Sequence, residues 1–351
     1  MSQLLQQLQT HGDFLALTQQ HPDTLQPFDF TLADNTRVSV WDTGVICFEP
    51  EVLTHKDIVL SCGVHGNETA PIEICAELVQ DLILGKLSLK HRLLVLFGNP
   101  PAMNAGTREI TENLNRLFSG HHSMGEGLVN AERLRAKALE DYVSRFYGEQ
   151  RVTIMVPRNR YLYDLHTAIR GSRFEKFAVY PFLHGKPWQK AQFEFLRACD
   201  VTTVLLMQTP ASTFSYYAAN THDADAFTIE LGKVRPFGQN DMSRFAKARQ
   251  TIRALVSEAE VTTAPFVEAD FQLYQVYRAI NKQTDAFVLN FADDVENFTS
   301  YPVGTVLATD GDIEYRVEQE GEALIFPNAK VAVGQRAMLM VVPSTVSHNL
   351  A

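Results

Sequence analysis

The sequence predicts an α/β chain that ends in a smaller all-β domain. Three observations carry this. Short apolar runs suited to strands covered on both faces alternate with segments of helical apolar spacing, up to residue 262. The first such group reads strand, helix, strand, the order of a right-handed crossover unit. After "TTAP" no long helix follows, and short strand-like pieces separated by Gly, Asp and Pro take over. The expected domains are residues 1–262 and 263–351.

Each element follows from a local pattern. The first ~30 residues, rich in Leu and Gln, read as helix. The alternation in "TRVSVWDTGVICFEP" reads as a strand pair, and "DIVLSCGV" as a buried strand. "ETAPIEICAELVQDLILG" is a helix that stops at Gly85, and "HRLLVLFGNP" is the next buried strand. "NAERLRAKALEDYVSRFYG" is a helix ending at Gly148, and "RYLYDLHTA" a strand. "PWQKAQFEFLRAC" is a helix with Pro187 near its start. "VTTVLLMQ" and "AFTIELG" are strands, and "NDMSRFAKARQTIRALVSEAE" is a helix capped by Asn240 or Asp241. "NPPAMNAGTREITENLNRLF" is long, polar and without an obvious element. The C-terminal strands are "FQLYQVYRAI", "DAFVLNF", "GTVLATDG", "IEYRVE", "EALIFP" and "AMLMVVP".

Of the 351 residues 45% are hydrophobic and 21% charged, the balance of a globular protein with a sizeable core. The net charge of -10 and the lack of a Lys/Arg block argue against a nucleic-acid partner. A few arginines in a cleft can still hold an anion, because the local field decides. The four cysteines, Cys47, Cys62, Cys75 and Cys199, form no C-x-x-C pair and are few for a disulfide scaffold. The N-terminus lacks the basic leader and cleavage site of a signal peptide, and no window approaches ~20 continuous apolar residues. A cytoplasmic protein with no membrane partner is expected.

In an open α/β sheet, ligands bind beyond the carboxyl ends of the strands. His65 and Glu68, Asn99, His166 and Glu230 all fall at such ends. Imidazole nitrogen and carboxylate oxygen both bind zinc near ~2 Å, and two His with one Glu leave a position for water. Among eleven histidines one H-x-x-E match is close to chance. His65 stands out because it ends a strand and because Gly63 and Gly66 permit close backbone approach. His222 to Asp225 has similar spacing and reads as a solvated loop. Glu230 ends an apolar strand, where partial burial raises a carboxyl pKa and suits it to proton transfer. Arg108 and Arg116 lie in the polar segment, where a guanidinium fork can grip a carboxylate. Arg170 and Arg173 follow His166, and cations so close to a metal ion are costly unless an anion visits.

Together "GVHGNE", "NPPAMNAGTREITENLNRLF", "DLHTAIRGS" and "FTIELGKVRPFGQND" resemble the succinylglutamate desuccinylase/aspartoacylase family of the zinc carboxypeptidase superfamily. The last two segments look closer to the desuccinylase branch. The resemblance implies a zinc-carboxypeptidase-like mixed sheet flanked by helices and a C-terminal β domain that narrows the site mouth. It implies one Zn2+ held by His65, Glu68 and His166, with Glu230 as general base and then acid. Arg108 would polarise the scissile carbonyl, and Asn115 and Arg116 would hold a substrate carboxylate. Arg170 and Arg173 are further candidate anchors. Asn113 stands where the family often has Asp, which bears on how Arg116 is oriented.

The activity implied is hydrolysis of the amide of N-succinyl-L-glutamate to L-glutamate and succinate, the last step of the arginine succinyltransferase catabolic pathway. The partner expected is a small anionic N-acyl amino acid, and a homo-oligomer stays open. The rival readings are aspartoacylase-like deacylation of another N-acyl amino acid and a zinc-bearing binding protein without turnover.

Overall fold

The computed structural model describes residues 3–52, 54–125, 129–148 and 158–351. Two short helices open the chain, α1 (Gln3–His11) and α2 (Phe14–Gln20), the second capped by Asp13, which accepts from Ala16 N. The expectation of helix over the first thirty or so residues fails past Gln20. Pro22 and Pro27 stop the helix, and the alternating "FDFT" pairs as strand β1 (Phe28–Thr31). Strands β2 (Arg37–Asp42) and β3 (Val45–Glu49) form the expected hairpin.

The crossover unit comes next: β4 (Lys56–Cys62), α3 (Thr69–Ile83) and β5 (Arg92–Phe97). β4 and β5 are parallel and wholly buried, as their apolar stretches at residues 58–60 and 93–97 require. The polar segment after β5 does hold a helix, α4 (Pro100–Ala105), which Asn99 caps and Pro100 opens, and a 3-10 turn at Leu114–Arg116. The remaining α/β elements are α5 (Ala131–Gly148), β6 (Asn159–Ala168), β7 (Lys176–Tyr180), α6 (Lys190–Ala198), β8 (Thr203–Leu206), α7 (Phe214–His222), β9 (Asp225–Lys233) and α8 (Ala246–Ser257). β7 and α7 have no clear signature in the sequence. β7 is short, and the aromatic residues of α7 mask its helical spacing. His222 closes α7 and Asp225 opens β9, so this run is not the solvated loop expected. The His222 ring is hydrogen-bonded to Ser144 and Tyr217.

The C-terminal strands are β10 (Gln272–Asn281), β11 (Phe287–Leu289), β12 (Thr299–Ser300), β13 (Val306–Asp310), β14 (Ile313–Arg316), β15 (Ala323–Ile325) and β16 (Arg336–Pro343). Among the described residues thirteen strands join in one sheet, ordered β1-β2-β3-β5-β4-β6-β9-β7-β8-β10-β16-β15-β12, and β11-β13-β14 form a second. β10 pairs in parallel with β8, so the C-terminal strands continue the main sheet at its edge. The fold is thus a mixed sheet flanked by helices, with a C-terminal β unit. At its centre β4, β6 and β9 are adjacent and parallel, and their carboxyl ends point to one place. None of the helices among the described residues is long and apolar enough to cross a membrane.

Candidate metal centre and hydrolytic site

His65 and Glu68 sit in the turn between β4 and α3. Gly66 makes that turn possible. A Cβ there would lie 2.1 Å from the carbonyl carbon of Ala102 and 2.3 Å from Met103 N. Glu68 occupies the N-cap position of α3 but its carboxylate caps nothing. It turns instead toward β6, where Oε2 accepts from Thr167 N at 3.0 Å.

His65, Glu68 and His166 are all buried, and their ligand atoms lie within 4.8 Å of one another. His65 Nδ1 is 2.9 Å from Glu68 Oε1 and 3.2 Å from His166 Nδ1. His166 Nδ1 is 2.8 Å from Glu68 Oε2. Donors bound tetrahedrally to zinc at ~2 Å lie roughly 3.3 Å apart, so small outward shifts would fit these three around one ion. The outer nitrogens face acceptors: His65 Nε2 meets Asn113 Oδ1 at 3.0 Å, and His166 Nε2 meets Asp164 Oδ2 at 2.7 Å. With a metal ion bound, each ring would carry its proton on Nε2, facing these acceptors, and turn its Nδ1 lone pair inward, the tautomer a metal ligand needs.

The electrostatics fit a cation at this spot. Burial first, and then the Arg108 charge, push His65 down to about 4, so it is neutral and free to ligate. Burial alone would raise Glu68, but the two imidazoles hold it well below the usual carboxylate range. Burial alone would lower His166, yet Asp164 and Glu68 hold it well above the usual imidazole range.

Asn113 and Asp164 were not singled out from the sequence as supports of the two histidines. Asp164 had a signal: D-x-H within a strand puts both side chains on one face. Asn113 had none, because its contact with His65 spans 48 positions. Asn113 Oδ1 also accepts from Asn115 N, so this residue orients His65 and shapes the 3-10 turn.

Glu230 pairs in register with His166 across β6 and β9. It is 6% exposed, and its Oε2 has no hydrogen-bond partner among the described residues. Burial, and secondarily the Glu68 charge, push it up to about 7. Arg108 Nη1 donates to Glu68 Oε1 at 2.7 Å, which brings its fork to the same place. Asn99 N donates to Gly63 O at 2.8 Å, and the Asn99 side chain caps α4.

The other candidates are placed less centrally. Asn115 is buried, and its Oδ1 accepts from Phe214 N at 3.1 Å. Arg116 Nη1 donates to Asn115 O at 2.8 Å. Burial, then the charges of Arg336 and Arg108, push Arg116 down to about 9. Arg170 turns to the C-terminal β unit, where Nη1 donates to Asp293 O and Nη2 lies 3.7 Å from Asp293 Oδ1. Arg173 is exposed, and its backbone N donates to Asn297 O at 3.2 Å.

Comparison with known proteins fits this arrangement. The family described as "Succinylglutamate desuccinylase/Aspartoacylase catalytic domain" matches residues 54–256. The chain belongs to the succinylglutamate desuccinylase/aspartoacylase family. Its catalytic domain is that of an amidohydrolase. The "AstE/AspA barrel-sandwich hybrid domain" matches residues 269–344, in the C-terminal β unit. A succinylglutamate desuccinylase of Shewanella amazonensis is 53% identical over 347 residues, covering 98% of this chain and 99% of its own. A solved succinylglutamate desuccinylase of Vibrio parahaemolyticus superposes with a TM-score of 0.83 at 36% identity, over 94% of both chains. The desuccinylase structure from Chromobacterium violaceum gives 0.82 at 38% identity, over 95% of this chain and 98% of its own.

Proposed function

We propose that this family member hydrolyses the amide bond of N-succinyl-L-glutamate, releasing L-glutamate and succinate, with one zinc ion held by His65, Glu68 and His166. The observation that carries the reading is Glu230 Oε2, a buried carboxylate oxygen without a partner, at the strand position paired with His166. A carboxylate pushed up to about 7 can both take and return a proton near neutral pH. The near-full-length relatives of the same name support the choice of substrate.

Zinc held by His65, Glu68 and His166 would supply Lewis acidity toward the scissile carbonyl and the attacking water. The chain's own residues do the rest. Glu230 Oε2 takes the proton of the water as it attacks the amide carbon. Arg108 swings its fork from Glu68 to the carbonyl oxygen and stabilises the negative charge that develops there. Glu230 returns its proton to the amine of glutamate as the C–N bond breaks. Arg116, fixed by Asn115, grips a substrate carboxylate, while Arg170 and Arg173 steer the anion at the mouth. Asn113 and Asp164 keep both imidazoles in the ligating tautomer. A cytoplasmic setting fits four cysteines that are all buried free thiols.

The test is product detection from zinc-loaded protein with a panel of N-succinyl and N-acetyl amino acids. Succinate released from N-succinylglutamate in preference to all others is the expected result. Preferred release of acetate from N-acetylaspartate would overturn the substrate assignment.

A further inference from the structure

Glu132, in the first turn of α5, was not among the residues the sequence drew attention to. It is 2% exposed. Its Oε1 accepts two backbone N–H groups, from Ile110 at 2.7 Å and from Thr111 at 3.1 Å. Both donors lie in residues 107–113, a stretch without a regular element that joins α4 to the 3-10 turn at Leu114–Arg116. The start of α5 adds a second hold on the same stretch. Arg133 grips Glu112 with a fork, Nε donating to Oε2 and Nη2 to Oε1, both at 2.7 Å. Asn130 Nδ2 donates to Glu112 Oε2 at 2.9 Å.

The stretch held in this way carries a site group toward each end. Arg108, two residues before Ile110, donates to Glu68 Oε1 at 2.7 Å. Asn113, two residues after Thr111, places Oδ1 3.0 Å from His65 Nε2. Gly66 N donates to Arg108 O at 3.2 Å and ties the stretch to the turn that bears His65 and Glu68. Ile110 and Thr111 are themselves exposed, so apolar burial does not fix their place. An irregular backbone has no ladder of its own, and its position follows the partners its N–H groups find. Here both N–H groups share one buried oxygen. Glu132 Oε2 is buried too and has no hydrogen-bond partner among the described residues, so the carboxylate acts through Oε1.

We propose that Glu132 is a positioning residue for the hydrolytic site. By holding Ile110 N and Thr111 N on one oxygen, it keeps Arg108 and Asn113 in place beside the metal ligands. This rests on the hydrolase reading above. Without that acceptor the middle of the stretch is released, and the residues on either side move with it. A displacement of about 1 Å in a positioned group can cost on the order of 100-fold in rate.

The experiment compares wild type with Glu132→Ala, Glu132→Asp and Glu132→Gln. It measures kcat and KM of the zinc-loaded proteins on N-succinylglutamate, and zinc affinity by chelator competition. Thermal midpoints serve as folding controls. Gln keeps the accepting oxygen and drops the charge, whereas Asp keeps the charge and draws the oxygen back by a methylene. Ala and Asp should lower kcat by about 10- to 100-fold, with KM changing less. They should weaken zinc by about 10-fold, because Asn113 no longer meets His65 squarely. Gln should restore both. In an Arg108→Ala background, Glu132→Ala should cost less in kcat than it does alone, since a group that acts through Arg108 loses its effect without it. An unchanged kcat, an unchanged zinc affinity, or Gln as damaging as Ala would each overturn the proposal. So would an equal loss with and without Arg108, which would show a general packing role. If Glu132→Ala does not fold, Asp against Gln decides by the same measurements. If the wild type does not cleave N-succinylglutamate, the proposed activity fails while zinc competition with Asp and Gln still decides the role of Glu132.

Discussion

Glu230 predicts a trade between stability and activity. Its carboxyl is pushed from 4.5 up to about 7 at a position only 6% exposed. Such an acid binds its proton more tightly in the folded state than in the unfolded one. Between those two pH values the folded chain holds more protons, so stability falls as pH rises and the loss is complete above about pH 7. A displacement of some 2.5 units corresponds to about 3 kcal/mol at most. Glu230→Gln removes the charge and keeps the shape. Metal-free Glu230→Gln should therefore unfold in urea at a higher midpoint than wild type at about pH 8, with the gap closing toward pH 5. The zinc-loaded variant should keep its metal and lose about 100- to 10,000-fold in kcat, the range for a general base. A stability gap that does not change with pH would refute the argument from burial. Full turnover with Gln at this position would remove Glu230 from the chemistry altogether.

Three further outcomes are expected. Asp164→Asn keeps an acceptor beside His166 Nε2 but loses its charge, so zinc affinity should drop about 10- to 100-fold in a chelator competition; an unchanged affinity would show that Asp164 does not support the ligand. Gly66→Ala places a Cβ 2.1 Å from the Ala102 backbone and should cost about 1–3 kcal/mol or more in urea unfolding. An unchanged midpoint there would mean that α4 moves aside freely. In kinetics, the carboxylate form of Glu230 is the base, so kcat/KM should climb with pH through a midpoint at or below about 7, because zinc adds to the Arg108 charge in favouring ionisation. A profile flat across that range would contradict the assignment.

The crossover unit was legible because its signals are local. "IVL" in β4 and "LLVLF" in β5 are continuous apolar runs, and both strands bury every residue. β7 and α7 were not legible. Lys176–Tyr180 is short and depends on β8 and β9 to hold it, and α7 rests on a Thr213 cap within an aromatic-rich run. The start of the chain misled in a similar way, since β1 exists only because β2 pairs with it.

By itself the sequence pointed to the side chains that could hold a metal ion and move a proton, since His65 and Glu68 follow the end of β4 and His166 and Glu230 lie toward the carboxyl ends of β6 and β9, strands that their own apolar residues specify. Composition, turn glycines and strand runs are properties of neighbours along the chain, and those can be read in order. Tertiary structure alone decided which partners tune these groups. Asn113 reaches His65 and Asp164 holds His166, while Arg170 pairs with Asp293, 123 positions away. Such contacts depend on how strands stack across a sheet, and strand order is settled by packing between distant segments rather than by any local pattern.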